Sequence, residues 1–241
     1  VGYFTRAEKF KTMVTSNIGQ VVQRVGYPVM SSIRDDVERQ VRVYRKVVRL
    51  TILLTSTLVL GLIGCADAMI EVLIGPKCLP AAHYLRILGI SGMFLPLILS
   101  SVNVFNANGK SDITLLLEII KTALAVIPVT LGIIFDIDAL LWGMVGITLL
   151  SYLIHAAFVS KEIPYSVGQQ VRDILPPIVI SACMAVAVHF VGMVEMAPFP
   201  LLLLQIAVGF VIVLVCYEFI CPSEEYTELK GMVLKVLHLK K

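Results

Sequence analysis

The chain has 241 residues, 58% of them hydrophobic and 15% charged, with a formal net charge of +3 and a mean hydropathy of +0.89. A soluble domain needs far less apolar material to fill its core, so the composition excludes that class, makes nucleic acid an unexpected partner and identifies an integral membrane protein. The small net charge carries information only through its distribution along the chain.

A valine at position 1, a polar start and no signal-peptide pattern lead to the expectation that the sequence is part of a longer protein whose N-terminal portion is absent. Cys65, Cys78, Cys183, Cys216 and Cys221 are scattered, without metal-ligand spacing, and read as packing residues; no metal and no cofactor is expected.

The first predicted helix, residues 10–30, has the length of a membrane span without the apolarity of one. On a helical wheel Lys9, Thr12, Ser16, Asn17, Gln20, Gln23, Arg24 and Tyr27 share about 140° of arc, with Val14, Ile18, Val21, Val22 and Val25 on the other side. An arginine and a run of amides are costly in hydrocarbon, so such a face belongs against water or a polar solute, as in the wall of a transport path. Residues 34–49 follow, with Val37, Val41, Tyr44 and Val48 at helical spacing among charges, which predicts an amphipathic helix on the inner membrane surface.

Six further stretches reach the roughly 20 apolar residues a spanning helix needs. They cover 50–74, 81–105, 112–135, 138–159, 174–194 and 198–220, giving about seven transmembrane helices in all and an all-α, polytopic membrane fold. Lys and Arg gather in alternate connections. Arg34, Arg39, Arg42, Arg45, Lys46, Arg49, Lys110, Lys161, Arg172 and the tail lysines Lys230, Lys235, Lys240 and Lys241 fall on one side. Arg6, Lys9, Lys11, Lys77 and Arg86 fall on the other. The positive-inside rule then starts the chain outside and ends it in the cytoplasm.

Polar groups inside the later spans are few. Glu118 and Lys121 stand three apart, close enough to pair, and share a stripe with Ser111, Thr114 and Thr122; this pair either locks its helix to a neighbour or lines the cavity. Ser100, Asn103 and Asn106 are spaced for helix–helix hydrogen bonding, and Asn108-Gly109 reads as a helix stop. Arg86 is expected to snorkel to head groups and Asp67 and Glu71 to face the interface. Pro96 and Pro128 predict bends. His155 and His189 read as packing residues, and the spans 174–194 and 198–220 as peripheral and lipid-facing. No GxxxxGKS, HExxH, GxSxG or paired CxxC occurs, and the outward loops are short, so catalysis is not expected.

Taken in order, VGYFTRAEKF with its polar span, YPVMSSIRDDVERQVRVYRKVVRL, IEVLIGPKCLPAAHYLRILGISG and NANGKSDITLLLEIIK resemble the C-terminal half of Wzx-like polysaccharide flippases. These are the lipopolysaccharide and exopolysaccharide exporters of the multidrug/oligosaccharidyl-lipid/polysaccharide (MOP) superfamily. The resemblance covers residues 1–160 well and the remainder only as apolar spans. It implies a bacterial inner-membrane protein of two pseudo-symmetric lobes, in which residues 1–159 supply five spans of the C-terminal lobe, with the amphipathic segment 34–49. Residues 160–220 would supply two peripheral spans, and 221–241 a basic cytoplasmic tail.

The implied activity is movement of a polyprenyl-pyrophosphate-linked oligosaccharide to the outer leaflet by alternating access. The partners would be that substrate, membrane lipids, the N-terminal half of the same protein, and polysaccharide polymerase and chain-length proteins. The wheel then assigns Arg24 and Lys121 to the anionic head, with Arg6 and Lys9 at the entrance and Asn17, Gln20 and Gln23 on sugar hydroxyls; Glu118 and Asn103 complete the substrate path. Three alternatives stand beside this reading. An exporter of drugs or other amphiphiles would favour an aromatic, acidic cavity, a polysaccharide polymerase or ligase would need a large outer loop, and a scaffold would tolerate loss of Arg24 and Lys121.

Overall fold

The computed structural model describes residues 2–220, and among these the secondary structure is helical, with no strand. The helices are α1 (Gly2–Ser32), α2 (Val37–Gly64), α3 (Ala66–Ile74), α4 (Pro80–Gly92), α5 (Leu95–Ala107), α6 (Ser111–Leu124), α7 (Val126–Ile134), α8 (Ile137–Glu162), α9 (Val167–Val191) and α10 (Pro198–Val215). Six rods are long and apolar enough to cross a membrane: α2, α4–α5, α6–α7, α8, α9 and α10 with its continuation. With the polar α1 they make the seven expected helices of a multi-pass membrane protein. The basic segment 221–241 and Cys221 lie outside the described residues.

Local chemistry sets the boundaries. Asp36 and Asp136 cap α2 and α8 by accepting from the backbone N–H groups of Arg39 (3.0 Å) and Ala139 (2.7 Å), and Ser166 with Gln169 forms a reciprocal capping box on α9. The α4–α5 rod breaks at Met93–Phe94, just before Pro96, and α6–α7 breaks at Ala125, three residues before Pro128. Proline has no N–H for the carbonyl four residues back, which is why both spans divide there. At the end of α5, Gly109 takes a φ of 74° and the Lys110 and Gly109 N–H groups return to Phe105 (2.8 Å) and Asn106 (3.1 Å) carbonyls. That left-handed residue, which glycine tolerates without a Cβ penalty, is the stop that Asn108-Gly109 predicts.

The α4–α5 rod is the most enclosed of the six. Leu85, Leu88, Leu97, Val104 and Phe105 are fully buried along it. Lipid tails are as apolar as leucine, so this burial stabilises by close packing and hydrogen bonds rather than by escape from water. α1 runs parallel to α4–α5, pairing Thr15 with Gly92, Gly19 with Leu99 and Gly26 with Asn103. α2 runs antiparallel to the same rod, with Tyr44 Oη 3.0 Å from Ser101 Oγ and Gln40 Nε2 donating to Asn108 Oδ1 at 2.7 Å.

Two expectations are corrected. Residues 37–49 are not a separate surface helix, because α2 continues unbroken from Val37 into its span with Tyr44 and Val48 buried; no proline or glycine stands between Val37 and Leu60, and its apolar positions find α5 and the residues around Tyr165. Arg86 does not snorkel but donates Nη2 to Asp67, so a carboxylate on α3 answers it within the protein.

α9 lies parallel along α2. Ser56 and Thr57 meet Ser181 at 3.0 and 3.3 Å, and Gly64 lies against the Ala185 backbone. Hydroxyls and a glycine are what let two helices approach within a bilayer. α10 returns antiparallel on α9, with buried Gln205 donating to the Val188 carbonyl at 3.0 Å, while Phe199, Leu203, Ile206, Phe210 and Val211 stay exposed. Residues 160–220 therefore contribute one helix joined to α2 and one held mainly by α9. His155 is buried, its Nδ1 donating to the Ser151 carbonyl at 2.7 Å, a packing role.

Candidate functional site

The rotation of α1 decides which of its side chains can meet a solute. Its buried residues are Ala7, Lys11, Thr15, Gly19, Gly26 and Met30, recurring four or seven apart, so one stripe of mostly small groups faces α4–α5. A Cβ on Gly19 would stand 2.8 Å from Leu99 Cδ1, and one on Gly26 2.5 Å from Asn103 Nδ2. Glycine at both points lets the helices come this close without moving Leu99 or Asn103. Buried Asn103 then donates Nδ2 to the Val22 carbonyl at 3.0 Å, fixing α1 against α5.

With that face committed, Lys9, Thr12, Asn17, Gln20, Gln23, Arg24 and Tyr27 are all exposed, and Ser16 is half-buried. Asn17 folds back to donate to the Met13 carbonyl at 2.7 Å. Among the described residues, Gln20, Gln23 and Arg24 have no hydrogen-bond or ion-pair partner. Pro28, inside α1, has no N–H for the Arg24 carbonyl. The polar arc read from the wheel is thus an open surface of this chain.

The apolar arc differs from the simplest expectation. Val21 and Val25 are 61% and 59% exposed, because the packed stripe is the one with small residues, rotated away from the valines. The structure brings Asn103 to α1 on the packed side, where its amide is spent on the helix backbone. Glu118 and Lys121 bind each other at 2.7 Å on exposed α6 and, among the described residues, neither bonds to α1. Thr114 donates to Asn106 Oδ1 at 3.1 Å. Near the start of α1, Arg6 donates to the Cys78 sulfur and Tyr3 to the Lys77 carbonyl at 3.2 Å. Gly2, Tyr3, Arg6, Lys77 and Cys78 line an open cleft of about 350 Å³ there.

Two charged groups escape a sequence reading. Lys11 looks like an exposed terminal cation but is buried against Gly92, neutralised by Glu8 at 2.7 Å; the three-residue spacing of the pair was the available signal. Asp173, at the edge of a span, is buried between α2 and α9 and binds Arg45, Arg49 and Tyr165. Burial pushes the Tyr165 phenol well above its usual range, and its bond to Asp173 acts in the same direction, so it stays a donor.

Comparisons with known proteins agree with this architecture. Residues 1–83 match the sequence model of a family described as polysaccharide biosynthesis protein. The teichuronic acid biosynthesis protein TuaB of Bacillus subtilis (strain 168) is 22% identical over an alignment of 246 residues, which covers 98% of this chain and 49% of TuaB. The inward closed conformation of the lipid II flippase MurJ superposes with a TM-score of 0.73 at 15% identity, covering 89% of this chain and 46% of MurJ. The chain spans about half the length of each of these two proteins. The first two agree with the polysaccharide-biosynthesis resemblance drawn from the sequence, and the third shows a MurJ-like fold.

Proposed function

We propose that this chain forms the C-terminal lobe of a bacterial inner-membrane flippase that carries a polyprenyl-pyrophosphate-linked oligosaccharide to the outer leaflet by alternating access, without catalysing a covalent reaction. The observation that carries the reading is the open hydrophilic stripe of α1. An exposed arginine and three amides on a helix set among bilayer-spanning rods call for an aqueous hollow, because lipid on that face would strand them. The second lobe, from the N-terminal half of the same protein, would close that hollow. The relatives, a teichuronic acid biosynthesis protein and a lipid II flippase, support a lipid-linked glycan as the class of cargo.

In this reading Arg24 meets the pyrophosphate as a planar, permanently charged donor set, and Asn17, Gln20 and Gln23 exchange hydrogen bonds with sugar hydroxyls. Lys9 and Arg6 attract the anionic head at the outer end, and Lys121, held by Glu118, adds positive charge on α6. Asn103 acts by holding α1 in register rather than by touching cargo. The excess of Lys and Arg in alternate connections supports a cytoplasmic C-terminus.

The test is complementation of a flippase-deficient strain by the full-length protein carrying Arg24→Ala or the pair Gln20→Ala and Gln23→Ala, with Val21→Ala as control. Loss of surface polysaccharide from the first two and not the third is expected. Normal polysaccharide from both polar-stripe variants, at equal expression, would overturn the assignment.

A further inference from the structure

The cleft at the start of α1 lies at the outer face, on the sidedness that the basic connections support. Gly75, with a φ of 100°, ends α3 and turns the chain into a short 3₁₀ turn, Pro76–Cys78; glycine takes that backbone without a Cβ penalty. Tyr3 Oη donates to the Lys77 carbonyl at 3.2 Å and Arg6 Nη1 to the Cys78 sulfur, so two side chains of α1 fasten the turn. The space between them measures about 350 Å³, at the lower edge of the roughly 300–1,000 Å³ of small-molecule sites. A Cβ on Gly2 would meet nothing within 4 Å, which leaves the mouth open.

Two exposed cations, Arg6 and Lys77, line this cleft without a carboxylate. The nearest acidic residues along the chain are Glu8, Asp67 and Glu71. Glu8 is bound to Lys11 at 2.7 Å and Asp67 to Arg86, and among the described residues Glu71 pairs with neither cation. Arg6 Nε and Nη2 and the Lys77 ammonium are likewise without a partner among the described residues, and a cleft lined by one sign of charge attracts the other. Arg6 also stands in line with Arg24. The two are 18 residues apart, five full turns, so they leave α1 in the same direction about 27 Å apart. That separation is close to the roughly 30 Å of a bilayer's hydrocarbon core.

We propose that Arg6 and Lys77, on a turn fastened by Tyr3, bind the diphosphate of a prenyl-linked lipid at the outer membrane face, as the outward counterpart of Arg24. The cargo class rests on the transport reading; the anion site rests on the cleft. The Nε–Nη2 edge of a guanidinium offers two parallel donors to phosphate oxygens, and an ammonium is a compact charge with three. Supplied from two elements, they answer the two phosphates of one diphosphate, whereas a phosphodiester brings a single charge. The bonds from Tyr3 and Arg6 hold the turn before the ligand arrives, which lowers the ordering cost of binding. A head group leaving Arg24 is received at the other end of the same helix face, with its prenyl chain in the outer leaflet.

The experiment titrates purified full-length protein with farnesyl pyrophosphate and counts bound ligand by native mass spectrometry, in an Arg24→Gln background that silences the α1 stripe. In that background one farnesyl pyrophosphate is expected to remain bound, and adding Lys77→Gln to weaken it at least about tenfold. Because the Lys77 ammonium has no partner among the described residues, this variant is expected to melt with its parent, and Lys77→Arg to restore binding to within about threefold. Tyr3→Phe keeps every charge but frees the turn, and is expected to weaken binding several-fold. Arg34→Gln removes one charge outside the cleft and is expected to bind as its parent does. Equal weakening by Arg34→Gln would mean a diffuse surface field and overturn the proposal. So would unchanged binding by Lys77→Gln, or equal affinity for phosphatidylglycerol. Complete loss of binding in Arg24→Gln alone would overturn the cleft and leave the α1 stripe standing; unchanged binding in Arg24→Gln with loss on adding Lys77→Gln would support the cleft and remove Arg24 from the transport reading.

Discussion

Replacing Gly26 with alanine tests how α1 is held. The added Cβ would stand 2.5 Å from Asn103 Nδ2 and 3.4 Å from its Cγ, but 3.9 Å from its Cβ. Non-bonded heavy atoms settle at about 3.5–4.0 Å, so the amide nitrogen must retreat by roughly 1 Å or α1 must lift away from α5. If the amide turns, the 3.0 Å bond to Val22 is lost; such interhelical bonds average about 0.6 kcal/mol in membranes. If α1 lifts, the cost is that of overpacking, about 1–3 kcal/mol. Set against alanine's better helix propensity of about 1 kcal/mol, an overpacked Gly26→Ala should lose about 0–2 kcal/mol net.

The same geometry supplies the decisive control. Asn103→Ala leaves only a Cβ at that site, and 3.9 Å is ordinary contact. In the Asn103→Ala background the clash is gone and Gly26→Ala should gain about the 1 kcal/mol of helix propensity, giving a coupling of at least about 1 kcal/mol. The cycle is read from unfolding of the four purified variants in bicelles. Additivity of the two substitutions within about 0.5 kcal/mol would refute the interlock.

Three further outcomes follow from other parts of the structure. A Cβ on Gly64 would meet the Ala185 carbonyl at 2.9 Å, whereas one on Gly61 meets only the flexible end of Met184 at 3.5 Å; thermal unfolding should show Gly64→Ala losing about 1–3 kcal/mol and Gly61→Ala about 0.5 at most. The raised ionisation of Tyr165 means its contribution is complete below about pH 10, where an unfolded tyrosine titrates, and fades as pH climbs toward the folded value. Tyr165→Phe should thus lower the melting temperature at pH 7 and lose less stability than wild type between pH 10 and 11. Single cysteines at Gln20, Gln23 and Arg24 should react with a membrane-impermeant maleimide, and one at Asn103 should not; labelling at Asn103 equal to that at Gln20 would contradict the packing of α1.

The spans were legible because apolar length alone announces them, and the breaks because proline and Asn-Gly leave few alternatives. The Glu118–Lys121 pair was legible from its three-residue spacing, and the polar arc of α1 from its wheel. What the wheel could not give was which side of α1 packs. The wheel only set the valines opposite the polar arc, whereas helix approach in a bilayer is limited by side-chain size, and Gly19 and Gly26 set the contact. Asp173 was missed because a lone aspartate at the edge of a span resembles a loop residue, and its arginines lie 128 and 124 positions away. No periodicity reaches across that distance. The burial of Lys11 was not drawn from the sequence because a lysine near a terminus is usually solvated, although its spacing from Glu8 allowed the pair.

The joint between α1 and α4–α5 gives the protein a division of labour for its future variants. At Gly19, Gly26 and Gly92 an added methyl group would force Leu99, Asn103 or Lys11 and Thr15 to shift, so change at the back of the helix disturbs its neighbour. On its front, glutamines and asparagine can be exchanged one at a time without disturbing that joint. A new chemical preference can therefore arise from surface editing of a single rod whose seat stays the same.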